Sequence, residues 1–366
     1  MKNSGLATVA QLHEFDEIID VRSPGEYAED HIPGAINYPV LDDAERIRVG
    51  TLYKQSSFSA KKIGASLVAH NISRHLAQHW LDKPKSWHPL IYCWRGGQRS
   101  GAMTHILRQI GFAAEQLEGG YKSYRQQVLQ QLQVLPAQFS WRVLCGLTGS
   151  GKSMLLAALQ QAGAQVLDLE LIARHRGSVL GDMPNEAQPT QKSFDSQVLA
   201  ALQSFDAALP VYIESESKKI GLLRVPDALI EAMWLSPCVR LECAPAVRVE
   251  LLRAEYAHFL QDPELLRQQL DRLQGKYSNE LLTHWNTLCA EQRWDEFIVE
   301  LLELHYDPAY NKSIRSHYPN YDSADRLYLN SLSKDAFSVL AQEMLALPLA
   351  LPLALSGNFV NNGGTV

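Results

Sequence analysis

Short apolar runs alternate with segments of helical period along most of this chain, an order that predicts layered α/β architecture. Ile18-Ile19-Asp20-Val21 predicts a strand ending in the polar Asp20. Arg22 to Tyr27 then turns into a short helix, with Ser23 or Gly25 as its cap. His31 to Asn37 predicts a turn feeding a second strand. Leu67, Ile72, Leu76 and Trp80 set a helical rhythm over 63–80. Leu90 to Tyr92 predicts a buried strand, Cys93 to Arg99 a loop and Gly101 to Ile110 a helix. Residues 115–118 predict one more strand, and 126–139 a helix and connector. A second α/β unit starts at Trp141, with strands over 143–145, 165–169, 211–214 and 239–241 and a helix from Ser153 to Gln161. Arg174 to Phe194 is polar, with two prolines and two glycines, and predicts a substrate loop. From Ala246 to Leu304 the period is helical almost throughout.

Composition narrows the class. A chain of 366 residues has room for two or three domains. Hydrophobic residues at 46% and charged residues at 20% are ordinary for a globular protein. A net charge of -6 does not advertise a nucleic-acid binder, yet a local basic face is all that phosphate backbones require. Five cysteines in no disulfide-like or zinc-like spacing, and no apolar leader, predict a reducing cytoplasm. No membrane partner is expected. Leu345 to Leu355 is apolar, but a span needs roughly 20 such residues. It is expected to pack on the body, ahead of a disordered tail over 356–366.

Two loops carry the chemistry. Cys93-Trp94-Arg95-Gly96-Gly97-Gln98-Arg99-Ser100 places a thiol in a tight turn whose N–H groups face inward. Arg99 can fork onto two oxygens of an oxyanion. The N–H groups and the following helix N-terminus favour a reactive thiolate at Cys93. Gly146-Leu147-Thr148-Gly149-Ser150-Gly151-Lys152-Ser153 follows an apolar strand and matches a phosphate-binding loop. Lys152 would neutralise phosphate oxygens, and Ser153 could hold Mg²⁺. Asp168 and Glu170 are placed to face a substrate, and Glu214 to work beside a metal. Two uses stay open: stabilising a diphosphate leaving group, or splitting ATP. Arg174, Arg176, Lys218 and Lys219 flank this face and are candidates for contact with a phosphate backbone.

Asp20-Val21-Arg22-Ser23-Pro24-Gly25-Glu26-Tyr27, His31 to Asn37 and the cysteine loop together resemble the rhodanese family over about residues 10–130. In that family the cysteine carries transferable sulfur. Common single-domain members place the arginine five residues after the cysteine, whereas Arg99 follows Cys93 by six. That longer loop resembles rhodanese-related phosphatases and suits a phosphate-like donor. With Gly119-Gly120-Tyr121-Lys122, the phosphate loop, Asp168-Leu169-Glu170, His175-Arg176-Gly177-Ser178 and Tyr212 to Ser217, the chain resembles the tRNA 2-selenouridine synthase family.

The resemblance implies a rhodanese-like parallel-sheet domain over 1–134. A P-loop NTPase-like α/β domain follows over 135–245, with a helical extension and the rest of that domain over 246–366. It implies that geranyl diphosphate alkylates the 2-thiouridine at the wobble position of tRNA, and that selenium from selenophosphate then replaces the geranylthio group. Cys93 would attack and hold the selenium, with residues 94–100 around the donor and Lys152 at the diphosphate. A selenophosphate-producing enzyme is an implied partner, and no tightly bound cofactor is expected. The nearest alternative is an ATP-dependent tRNA sulfurtransferase or persulfide carrier.

Overall fold

A computed structural model of the protein describes residues 5–348 except 179 and 185. Two parallel sheets organise them, each of five strands. The strands of the first are β1 (Leu6–Ala7), β2 (Glu17–Asp20), β3 (Ile36–Asn37), β4 (Pro89–Tyr92) and β5 (Glu115–Leu117), in the spatial order β1-β5-β4-β2-β3. β4 is central and buried at every residue, which explains its unbroken apolar pattern. The second sheet is built from β6 (Trp141–Cys145), β7 (Gln165–Leu167), β8 (Val211–Glu214), β11 (Cys238–Cys243) and β12 (Asp325–Leu329). Its order is β12-β11-β6-β8-β7, with β6 at the centre. A small antiparallel pair, β9 (Lys219–Ile220) and β10 (Leu223–Arg224), lies apart.

Both chemical loops leave the carboxyl end of a central strand: Cys93 follows β4, and Gly146 follows β6. Open parallel sheets bind ligands at that edge. The predicted strand over 165–169 stops at Leu167, because the Asp168 side chain turns to accept from Leu171 N at 2.8 Å and caps the helix Leu169–Ala173. The polar stretch after Arg174 gives way at Gln191 to a helix running to Gln203, capped by Thr190. Residues 245–317 are mostly helical and bury Trp285, Leu288 and Phe297 in a core of their own.

The two sheet units share one continuous core. Helix Gly120–Val134 packs on helices Gln191–Gln203 and Asp227–Trp234, burying Tyr124, Val128 and Leu132 with Phe194 and Val198. A polar seam seals this contact. Buried Asp30 accepts from Tyr121 OH at 2.6 Å and Ser196 Oγ at 3.1 Å, and Lys192 meets Glu29 at 2.6 Å. Leu345 and Leu347 pack against the second unit. The rest of the 345–355 run from residue 349, and the expected tail, lie outside the described residues. Among the described residues, no helix is long and apolar enough to cross a membrane.

Candidate active sites

The thiol of Cys93 is almost fully buried at the floor of its loop. Gly97 N donates to its sulfur at 3.2 Å and Ser100 Oγ at 3.1 Å. Both donors belong to the start of the helix Gln98–Ile110, so the sulfur sits against that helix's N-terminus. Gly96 has φ of +63°, and a Cβ there would lie 2.7 Å from Leu117 O. Gly120, with φ of +58°, would drive a Cβ to 2.3 Å from Cys93 O. The two glycines therefore let the loop and the Gly119-Gly120 turn touch backbone to backbone. Tyr121 N and Lys122 N close the contact by donating to Cys93 O and Trp94 O, each at 2.9 Å.

Arg99 is engaged by Glu26: its guanidinium lies 2.7 Å from Oε2 and 3.3 Å from Oε1. Burial pushes the Glu26 carboxyl up, but Arg99, the Ser23 N–H and Arg46 outweigh it and hold Glu26 below its ordinary range. Glu26 also completes the capping box of helix Pro24–Glu29, at Ser23, so the Ser23 cap is the one used. Gln116 is a second residue that sequence reasoning missed: its Nε2 donates to Gly96 O, to Gly97 O at 3.2 Å and to Ser100 Oγ at 2.9 Å. Trp94 is half-buried against Tyr121, while Arg95 and Gln98 are exposed at the rim. Tightly held Arg22 bonds Asp20 and Asp30 O and stacks on Tyr121 beneath the loop.

The second loop opens on a cavity of about 530 Å³. Lys152 Nζ pairs with Glu214 Oε1 at 3.2 Å, and Ser153 Oγ donates to Glu170 Oε2 at 3.3 Å or Glu214 Oε2 at 3.4 Å. Glu216, also missed in the sequence, joins Glu170 and Glu214, with ligand oxygens all within 4.8 Å of one another. Burial pushes Glu170 well up, helped by repulsion from Glu214 and Glu216. Burial pushes Glu216 up to about 8, helped by Glu214. Asp168 is raised as well, chiefly by burial. Burial would lower the Lys152 ammonium, but Glu214 and Glu170 outweigh it and hold it above its usual value. Such a lysine is charged at neutral pH, and the carboxylates facing it want a cation.

Distant side chains shape this loop. Buried Arg248 donates from Nε to Thr148 O at 2.9 Å and pairs with Asp307 through both terminal nitrogens. Tyr310 OH accepts from Gly146 N at 2.7 Å. The polar stretch folds back through His175, whose Nε2 meets Asp182 at 3.3 Å. That fold carries Arg176 into the cavity, with its guanidinium 5.0 Å from the Tyr256 ring centre. Its Nη1 is buried without a hydrogen-bond partner among the described residues. The four basic candidates are thus separated. Arg176 stacks inside the cavity, because a flat guanidinium is stable on an aromatic face. Arg174, Lys218 and Lys219 are exposed, with Lys218 over Trp234.

Residues 139–325 match the family model for the tRNA 2-selenouridine synthase AAA domain, and residues 6–127 match the rhodanese-like domain. The chain is 32% identical over 347 residues to the tRNA 2-selenouridine synthase of Nitrosomonas europaea, covering 87% of this chain and 89% of that one. The chain belongs to the tRNA 2-selenouridine synthase family. It is also 33% identical to the synthase of Shewanella woodyi, over 80% of this chain and 86% of that one. The synthase of Sulfurovum sp. (strain NBC37-1) is 33% identical, over 81% and 88%. These matches run through both sheet units. They agree with the rhodanese-like domain followed by a P-loop α/β domain with a helical extension.

Proposed function

We propose that the protein is a tRNA 2-selenouridine synthase, a transferase that works in two steps at two sites. One observation carries the reading: a thiol that accepts from Gly97 N and Ser100 Oγ and a lysine-bearing phosphate loop follow two strands, β4 and β6, that share one core, in a chain of this family. In the first step, the sulfur of 2-thiouridine at the tRNA wobble position attacks C1 of geranyl diphosphate. The carbon–oxygen bond breaks, diphosphate leaves with the electron pair, and the uridine N3 proton is released. Lys152 and the loop N–H groups stabilise the leaving diphosphate, with Arg176 as a further cation in the cavity. Ser153, Glu170 and Glu214 would hold Mg²⁺, which supplies extra charge for that leaving group.

Alkylation turns a reluctant sulfur into a thiolate leaving group at C2. In the second step, selenium held on a thiol while phosphate leaves would need a two-electron oxidant, so the Cys93 thiolate instead attacks the phosphorus of selenophosphate. The P–Se bond breaks, hydroselenide leaves with the electron pair and attacks C2, geranylthiolate departs, and water hydrolyses the S-phosphocysteine to phosphate. Arg99 would exchange its Glu26 partner for the donor's oxygens. Exposed Arg174, Lys218 and Lys219 support the tRNA backbone. The test is incubation of the protein with 2-thiouridine tRNA and geranyl diphosphate, with and without selenophosphate, followed by nucleoside mass analysis. S-geranyl-2-thiouridine should form without selenophosphate, and 2-selenouridine only with it. Neither nucleoside from active protein, or selenouridine without any geranyl donor, would overturn the reading.

A further inference from the structure

The phosphate cavity has an apolar neighbour. Thr148, Leu252, Tyr256 and Tyr306 line the cavity at Lys152 and also line a second pocket of about 50 Å³. Thr148 belongs to the phosphate loop itself, so the two spaces meet at the loop. Beyond that common wall the second pocket is framed by Phe259, Trp294, Phe297 and Ile298, from the helical region. Among the described residues no carboxylate or amide side chain lines it, and the one charged side chain there, Arg253, is paired with Asp295 at 2.8 Å. Tyr256, which lines both spaces, has its hydroxyl against Ser178 Oγ at 3.3 Å and its ring under Arg176.

Size and polarity say what fits. One water takes about 10–15 Å³ by the same kind of measure, so this is more than a packing fault. A water needs two to four polar partners, and these walls offer few, so the pocket suits a hydrocarbon. A nucleotide base would find no side-chain amide or carboxylate to read its polar edge there. A ligand with an anionic head at Lys152 and a short branched apolar tail matches both spaces at once.

We propose that this pocket holds the outer isoprene unit of an allylic diphosphate whose head lies in the phosphate loop. The inner unit crosses the wall at Thr148 and Tyr256, and the narrow bore sets the tail length. The inference rests on the reading that the phosphate loop takes a prenyl diphosphate, and it adds where the tail goes and why ten carbons are preferred.

The test is titration calorimetry of the full chain with inorganic diphosphate and the unreactive S-thiolodiphosphates of dimethylallyl, geranyl and farnesyl alcohols. The geranyl analogue should bind about tenfold or more tighter than the dimethylallyl one, a fraction of what burying five more carbons provides. Farnesyl should gain nothing further. Ile298→Trp fills the pocket and should erase the geranyl advantage while inorganic diphosphate binds as before. Phe297→Ala widens it and should shift the preference toward farnesyl, which keeps the test alive if the tryptophan variant fails to fold. A folded Ile298→Trp that keeps the geranyl advantage, or an unchanged tail ranking in Phe297→Ala, overturns the pocket assignment. If the parent still makes S-geranyl nucleoside in that case, the two-step reading stands and only the pocket falls. If the parent shows no preference for any tail and makes no S-geranyl nucleoside, the reading itself falls and the pocket with it.

Discussion

Replacing Glu216 by glutamine removes one of three carboxyl groups crowded beside Lys152. Burial and the Glu214 charge push Glu216 from 4.5 up to about 8. Below pH 4.5 the carboxyl is protonated in both the folded and the unfolded chain. Between 4.5 and 8 the unfolded chain gives up its proton while the folded chain keeps it, so stability falls as pH rises. Above 8 the loss is complete. At about 1.4 kcal/mol for each pH unit crossed, the window amounts to about 5 kcal/mol. Glutamine has the same shape, can still accept from Ser217 N at the 3.3 Å position, and does not titrate. The variant should therefore gain stability over the parent as pH rises from 5 to 8. The assay is urea unfolding followed by tryptophan fluorescence in metal-free buffer at several pH values. A difference that stays flat within about 0.5 kcal/mol across that range would refute the placement of Glu216 in this cluster.

Other expectations follow from the same geometry. Lys152→Ala should cut geranylation by about 10²–10³-fold, as loss of a main charge-stabilising donor does, while pre-geranylated tRNA is still converted to selenouridine. Normal geranylation by this variant would rule the lysine out. Gly96→Ala should disrupt the cysteine loop, because its Cβ meets Leu117 O and Gly120 N. Selenation should be lost with geranylation kept, and a folded variant with normal selenation would show that the backbone contact is dispensable. Joint alanine replacement of Arg174, Lys218 and Lys219 should weaken tRNA binding and flatten its salt dependence by about one for each lost phosphate contact. An unchanged slope would move the tRNA footprint elsewhere.

Both chemical loops were legible in the sequence because each is a contiguous strand–loop–helix pattern. An apolar β4 or β6 runs straight into a glycine-bearing turn, and parallel topology then fixes both turns at the carboxyl edge of a sheet. What escaped notice is held by contacts distant along the chain. Glu26 reaches Arg99 across 73 residues, and Gln116 reaches Gly96 across 20. Neither pair leaves a local pattern. Glu216 sits in a polar run whose charges look solvated until the fold buries them. β12 was missed because it is an edge strand with only Leu327 and Leu329 buried, so its apolar signal is thin. Arg176 read as a surface cation until the turn at His175 carried it onto Tyr256.

The central claim is that two sites act in order, with the thiol needed only for the second step. It is tested most directly by giving Cys93→Ala 2-thiouridine tRNA, geranyl diphosphate and selenophosphate together, and analysing the nucleosides by mass. The account expects S-geranyl-2-thiouridine to accumulate and no 2-selenouridine to form. Selenouridine made at the parent's rate by the thiol-free protein would contradict it.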